Sequence, residues 1–132
     1  MPRYMSRLLA LLLVVVIGLL GCSTSPSGLV GNYQQDTLKV VQSLRGAIDI
    51  PNNDPGRSAA QNQAKQIIND FSALYRRDPA LTKLSSFTTM RTALNSLAAH
   101  YSAYPNRPLP QKLKDRVEQE FKQVEAALKR GA

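Results

Sequence analysis

A thiol at position 22 is the sole cysteine of this 132-residue chain, and the residues before it give it a use. Arg3 and Arg7 precede an unbroken apolar run from Leu8 to Leu20, and Gly21 places a small residue directly ahead of Cys22. A positive start, an apolar middle and a small residue at the cut are the anatomy of an export signal. Leu19-Leu20-Gly21-Cys22 puts the thiol where lipoprotein processing attaches a diacylglyceryl group through a thioether, although Leu20 is bulkier than the residue usually found there. The apolar run is shorter than the roughly 20 residues that span a bilayer, which weighs against an uncleaved anchor. The expected mature chain therefore begins at a lipidated Cys22, with residues 1–21 removed.

Other reactive side chains lack the company that catalysis requires. His100 is the single histidine, and a metal site would need further imidazole, thiolate or convergent carboxylate ligands. Ser96 lies one helical turn before His100, but no Gly-x-Ser-x-Gly elbow or oxyanion-forming glycine loop accompanies the pair. Asp115, Glu118, Glu120 and Glu125 concentrate near the end of the chain, where paired acids would invite glycosidase chemistry. Their basic neighbours give a plainer reading: Glu118 with Lys122, Glu125 with Lys129, Lys114 with Glu118 and Arg116 with Glu120 are all spaced i to i+4, the pattern of a solvated ion-paired helix face. No phosphate-binding glycine loop occurs. No enzyme activity, metal or cofactor is expected.

The remaining chemistry is positive charge. The chain carries a formal net charge of +8, of which the leader's Arg3 and Arg7 supply two. Such a balance attracts nucleic acid, anionic lipid or acidic protein. Export excludes nucleic acid, which leaves acidic protein or lipid. Arg76-Arg77 follow an expected helix, where the dipole alone justifies cations. Arg91, Arg107, Lys112 and Arg116 have no such explanation, and with Tyr101 and Tyr104 they combine guanidinium forks with aromatic surface, the composition of protein-interface hot spots. These six form the candidate partner-binding residues.

The elements that must position them are helical. Residues 22–31 are the lipidated N-terminus and its tether, in which residues 23–31 read Ser-Thr-Ser-Pro-Ser-Gly-Leu-Val-Gly, a flexible composition. Residues 32–132 form the expected domain. Tyr33, Leu38, Val41, Leu44 and Ile48 fall along one side of a helix over about Tyr33 to Ala47. Asp54-Pro55 is read as the N-cap and first position of a second helix, whose stripe of Ala60, Ala64, Ile67, Phe71, Leu74 and Tyr75 ends before Asp78-Pro79. Leu81 and Leu84 should plug one end of the core, and Ser85-Ser86 offers a cap for a third helix carrying Phe87, Met90, Leu94, Leu97, Ala98 and Tyr101. Three prolines between Tyr104 and Pro110 stop it. A fourth helix, about Pro110 to Lys129, presents Leu113, Val117, Phe121, Val124 and Leu128, with Gly131 beyond its end. The fold class is all-α, an up-down-up-down four-helix bundle behind a cleaved signal peptide and a tether, and a monomer is expected.

Three stretches carry a family resemblance. Leu29-Val-Gly-Asn-Tyr-Gln-Gln-Asp-Thr-Leu, the run from Phe87 to Tyr101, and Asn106-Arg-Pro-Leu-Pro-Gln-Lys-Leu-Lys together with Glu118-Gln-Glu-Phe-Lys-Gln resemble the small photosystem II assembly and repair lipoproteins of cyanobacteria. The resemblance covers essentially all of residues 22–132. It implies a non-enzymatic bundle, lipid-anchored on the lumenal side of the thylakoid membrane, that binds immature or damaged photosystem II. In that family the partner is the large lumenal loop of the inner-antenna chlorophyll protein, and binding assists manganese-cluster maturation and prevents extrinsic subunits from binding prematurely. A generic periplasmic lipoprotein adaptor for another membrane complex is the alternative that leader and bundle alone allow.

Overall fold

The computed structural model describes residues 27–132; the leader over 1–21, Cys22 and the first part of the tether lie outside the described residues. Helix α1 spans Tyr33–Ile48, α2 Arg57–Tyr75, α3 Pro79–Thr82, α4 Ser85–Ala103 and α5 Gln111–Lys129. The four long helices pack around one core, α1 against α2, α2 against α4, α4 against α5 and α5 back against α1, the up-down-up-down arrangement expected from the apolar stripes. Val40, Val41, Leu44, Phe71, Met90, Leu97, Val117, Phe121 and Val124 are among its buried side chains. Leu81 and Leu84 pack against the margin of this core. No described helix is long and apolar enough to cross a membrane.

Helix boundaries follow local chemistry, and some differ from the sequence reading. Asn32 caps α1 by accepting from the Gln35 amide at 2.9 Å. Asp54-Pro55 does not open α2. The Asp54 carboxylate instead accepts from Gly56 N at 2.7 Å in a turn, and the helix starts at Arg57 without a side-chain cap. Asp78 caps the one-turn α3, with Pro79 in its first turn, where the sequence suggested only a connection. Ser85 and Ser86 already lie inside α4, whose cap position is Leu84; Ser86 is buried, and its hydroxyl meets that of Tyr33 at 2.7 Å. Leu74, expected on the apolar stripe, is 47% exposed, and Ile68 takes a buried place beside Ile67. At the far terminus, Gly131 adopts φ 72, so that Ala132 N donates to Ala127 O and Gly131 N to Leu128 O, a Schellman closure.

The largest departure concerns the tether. From Ser27 onward the chain is docked on the bundle: Leu29 is 2% exposed, the Ser27 hydroxyl donates to Asp70, and the amides of Val30 and Gly31 each donate to the Asp36 carboxylate at 2.9 Å. Asp36 is itself buried and also accepts from the Tyr75 hydroxyl at 2.5 Å. Tyr75 packs edge-on against Tyr33 and beside Phe71. Burial first, and then the hydrogen bond to Asp36, raise the Tyr75 phenol above its ordinary range. Small polar composition suggested freedom here, but one leucine and one acid in the following helix supply the contacts that fix residues 27–31.

Candidate partner-docking site

The connection between α4 and α5 reads Tyr104-Pro-Asn-Arg-Pro-Leu-Pro, and its backbone is shaped residue by residue. Pro105 and Asn106 occupy the centre of a turn closed by Arg107 N donating to Tyr104 O at 3.2 Å. Asn106 has φ 62, a left-handed conformation that asparagine tolerates better than most residues, as a proline-led type II turn requires at its third position. A buried glutamine from α2 then holds the turn on both sides. Gln61 Oε1 accepts from Asn106 N at 3.0 Å, and Gln61 Nε2 donates to Arg107 O at 2.9 Å. Leu109, 7% exposed, anchors the loop in the core. With the backbone committed inward, Arg107 lies exposed at the tip and Tyr104 is 55% exposed.

The six candidate residues do not form one patch. Tyr104, Arg107 and Lys112 lie exposed on the loop and at the start of α5. Arg116 follows Lys112 by one helical turn, so the two share a flank. Its guanidinium is engaged, donating through Nε to Glu120 at 2.9 Å and reaching Ser96 Oγ at 3.5 Å through Nη2. Arg91 is exposed, but it stands five residues before Ser96 on α4, about 140° around the helix from the side that meets Arg116. Tyr101 is fully buried, its hydroxyl finds no hydrogen-bond partner among the described residues, and burial pushes its phenol up to about 12. It belongs to the apolar seam of α4 and offers no aromatic surface. The heptad-like spacing assigned Tyr101 to the core, and that signal outweighs its chain proximity to Tyr104.

The other reactive residues are structural. His100 is buried, with Nε2 unpartnered among the described residues and its ring 5.4 Å from that of Tyr104, while Ser96 Oγ donates to Thr92 O at 3.0 Å, so serine and histidine do not form a nucleophile and base. No group of three or more His, Cys, Asp or Glu side chains gathers in metal-binding geometry among the described residues. Of the four i to i+4 pairs expected on α5, Arg116 with Glu120 forms. Glu118 and Glu125 turn to Arg45 of α1 instead, at 2.9 and 2.5 Å. Seven residues apart, these acids share the flank of α5 that faces α1, and one guanidinium fork reaches both where separate lysines would not. The hydrogen bond from Arg45 holds the Glu125 carboxyl below its ordinary value.

Two residues that organise the molecule escaped the sequence reading. Asp36 and Gln61 stand in polar runs, Gln34-Gln-Asp-Thr and Gln61-Asn-Gln, where nothing in the spacing separates a buried polar side chain from its solvated neighbours.

Comparison with known proteins places this geometry. A family model described as Photosystem II Pbs27 matches residues 11–128. The chain is 59% identical over 132 residues to the photosystem II assembly factor lipoprotein Psb27 of Thermosynechococcus vestitus, covering 100% of this chain and 98% of that one. It is 54% identical to the photosystem II lipoprotein Psb27 of Synechocystis, covering 99% and 97%. A chloroplast relative in Arabidopsis thaliana, named photosystem II repair protein PSB27-H1, is 33% identical, covering 75% of this chain and 58% of that one. The solution structure of Psb27 from cyanobacterial photosystem II superposes with a TM-score of 0.78 at 51% identity, covering 82% of this chain and 94% of that one. The crystal structure of PSB27 from Arabidopsis thaliana superposes at 0.73 and 33% identity, covering 76% and 98%. With a family model spanning most of its length and relatives of this identity matched end to end, the chain belongs to the Photosystem II Pbs27 family.

Proposed function

We propose that this protein is a non-enzymatic assembly and repair factor that binds immature or damaged photosystem II from the lumenal side of the thylakoid membrane, tethered there by lipid on Cys22. The observation that carries the reading is near-complete similarity to relatives named as photosystem II assembly-factor and photosystem II lipoproteins. Tyr104, Arg107 and Lys112, with Arg116 beside them, are the docking residues. The Gln61 clamp holds their loop in one conformation before binding, which removes an ordering cost the complex would otherwise bear. Their charge suits an acidic surface, and the large lumenal loop of the inner-antenna chlorophyll protein is the proposed partner. Occupying that loop until the manganese cluster matures would keep extrinsic subunits from binding prematurely. A lipid on Cys22 would confine the domain to the membrane plane and raise its effective concentration near the partner, so the docking contact itself need only be modest.

Pull-down from thylakoid membranes tests this reading. The wild-type protein should retain immature photosystem II at low salt, and Arg107→Glu with Lys112→Glu should lose at least tenfold of it. Retention unchanged by the double reversal would remove the loop from the docking surface.

A further inference from the structure

The bundle has a second basic surface, at the end opposite the Asn106 turn. That end is defined by hydrogen bonds between helix termini: the side chains of Tyr33 of α1 with Ser86 of α4 and of Tyr75 of α2 with Asp36 of α1, and the backbone Ser86 N donating to Ala132 O beyond α5 at 3.0 Å. Arg76 and Arg77 leave α2 there, Lys83 precedes α4 and Arg130 closes α5. All four side chains are exposed, and none makes a hydrogen bond or ion pair to the described residues. The helix dipole favours the arginines at the ends of α2 and α5, yet it disfavours Lys83 at the start of α4, so the dipole alone does not explain the group. The exposed acid in this sequence neighbourhood, Asp78, is occupied in capping α3. At the Asn106 end, by contrast, Asp49, Asp54 and Asp115 accompany Arg57, Arg107 and Lys112.

Two further features share the basic end. Val30 is 54% exposed and Leu74 47% exposed, the first on the docked N-terminal segment and the second in the last turn of α2. From Val30 the segment turns back along α1 and α2 to Ser27, which meets Asp70 and lines a hollow with Ser43, Ala47 and Ala60; the five residue steps from there to Cys22 reach at most about 17 Å, enough to return to the basic end. Unpaired cations, exposed aliphatic side chains and a short connection to an acyl attachment point are together what a headgroup surface rewards. A diacylglyceryl group brings two acyl chains, enough to hold the domain at the membrane, so a basic patch on the same domain acts on its orientation against the headgroups rather than on its attachment.

We infer that the end of the bundle carrying Arg76, Arg77, Lys83 and Arg130 rests on the anionic headgroups of the bilayer, with Val30 and Leu74 at the headgroup boundary. This orientation rests in part on the reading of Cys22 as the lipid site, but the charge contact stands apart from it. Each such cation near an anionic surface raises partitioning about fivefold, and the effect is lost as salt rises.

The test is flotation of the full mature protein with vesicles of neutral lipid alone and of neutral lipid with about one-third anionic lipid, a composition chosen to set the surface potential. Wild type should favour the anionic vesicles by at least tenfold at low salt. Arg76→Gln with Arg77→Gln should remove most of that preference, whereas Arg107→Gln with Lys112→Gln should leave it in place. Equal losses from both pairs would mean that net charge alone acts, and would overturn the inference. Retained vesicle preference in the Arg76/Arg77 variant, with loss of photosystem II capture, would overturn it in favour of an acidic protein contact. The Cys22→Ala chain should keep the anionic preference at lower overall binding. A wild-type mass showing no lipid would refute the Cys22 reading while leaving the charge contact to be judged by the two glutamine pairs.

Discussion

At the Arg76/Arg130 end, helix termini are tied to one another through the Asp36, Tyr75, Tyr33 and Ser86 side chains, and the cations stand outside this knot without partners among the described residues. At the Asn106 end, a glutamine in the body of α2 fixes an irregular loop, and cations and acids are mixed. The first end is suited to a flat, diffuse partner because its charge is dispersed over two connections and the segment after α5 and needs no fixed geometry. The second is suited to a shaped partner because one backbone conformation presents Tyr104 and Arg107 together. In the proposed reading, similar residue types would serve two purposes according to whether the protein orders them in advance.

The difference can be broken first at Asp36. Asp36→Ala removes the acceptor for Tyr75 and for the amides of Val30 and Gly31, and should cost about 3 kcal/mol. Denaturation should show a midpoint lowered by more than about 12 °C, given the usual 4–8 °C per kcal/mol for a domain of this size. A loss under 1 kcal/mol would mean that the knot does not organise this end. Gln61→Ala should be milder, about 2 kcal/mol for two hydrogen bonds, yet it should weaken photosystem II capture by loosening the loop. Unchanged capture despite that destabilisation would separate loop order from docking.

Smaller effects sharpen the contrast. Arg107→Glu with Lys112→Glu should alter stability by no more than about 0.5 kcal/mol, since both side chains are exposed and unpaired. The flank between the ends supplies a pH control. Glu125 has a folded pKa held below its ordinary 4.5 by Arg45, so the unfolded chain takes up its proton first as pH falls. The stability from this pair is therefore present above pH 4.5 and lost as pH drops through the lower folded value. Because the Glu125 side chain is 35% exposed, the contribution stays below about 1 kcal/mol. Between neutral pH and pH 3, Arg45→Gln should lose less stability than wild type in chemical denaturation; an equal loss would remove the pair from the acid response.

Much of this was legible in the sequence. Spacing identified the four long helices, because an apolar stripe facing one core leaves a periodic trace; proline and asparagine marked the loop that carries Arg107. What spacing cannot carry is the fate of a polar side chain. Asp36 and Gln61 look like their solvated neighbours until the fold places a tyrosine hydroxyl beside one and a loop amide beside the other. Tyr101 shows the converse: the stripe assigned it to the core, and its nearness in sequence to Tyr104 did not make it surface. Arg91 was separated from Arg116 by rotation about α4, which a list of nearby cations does not register. The order of residues 27–31 depends on a single leucine and on an acid several residues ahead, too little for composition to reveal.

In the proposed orientation the loop end meets photosystem II while the opposite end faces the membrane. A photoreactive amino acid placed at Tyr104, and in a second protein at Leu74, tests it directly when the full lipidated protein is irradiated on thylakoid membranes holding immature photosystem II. Tyr104 should cross-link to a photosystem II subunit and Leu74 to lipid. Capture of the photosystem II subunit from Leu74, with none from Tyr104, would contradict it.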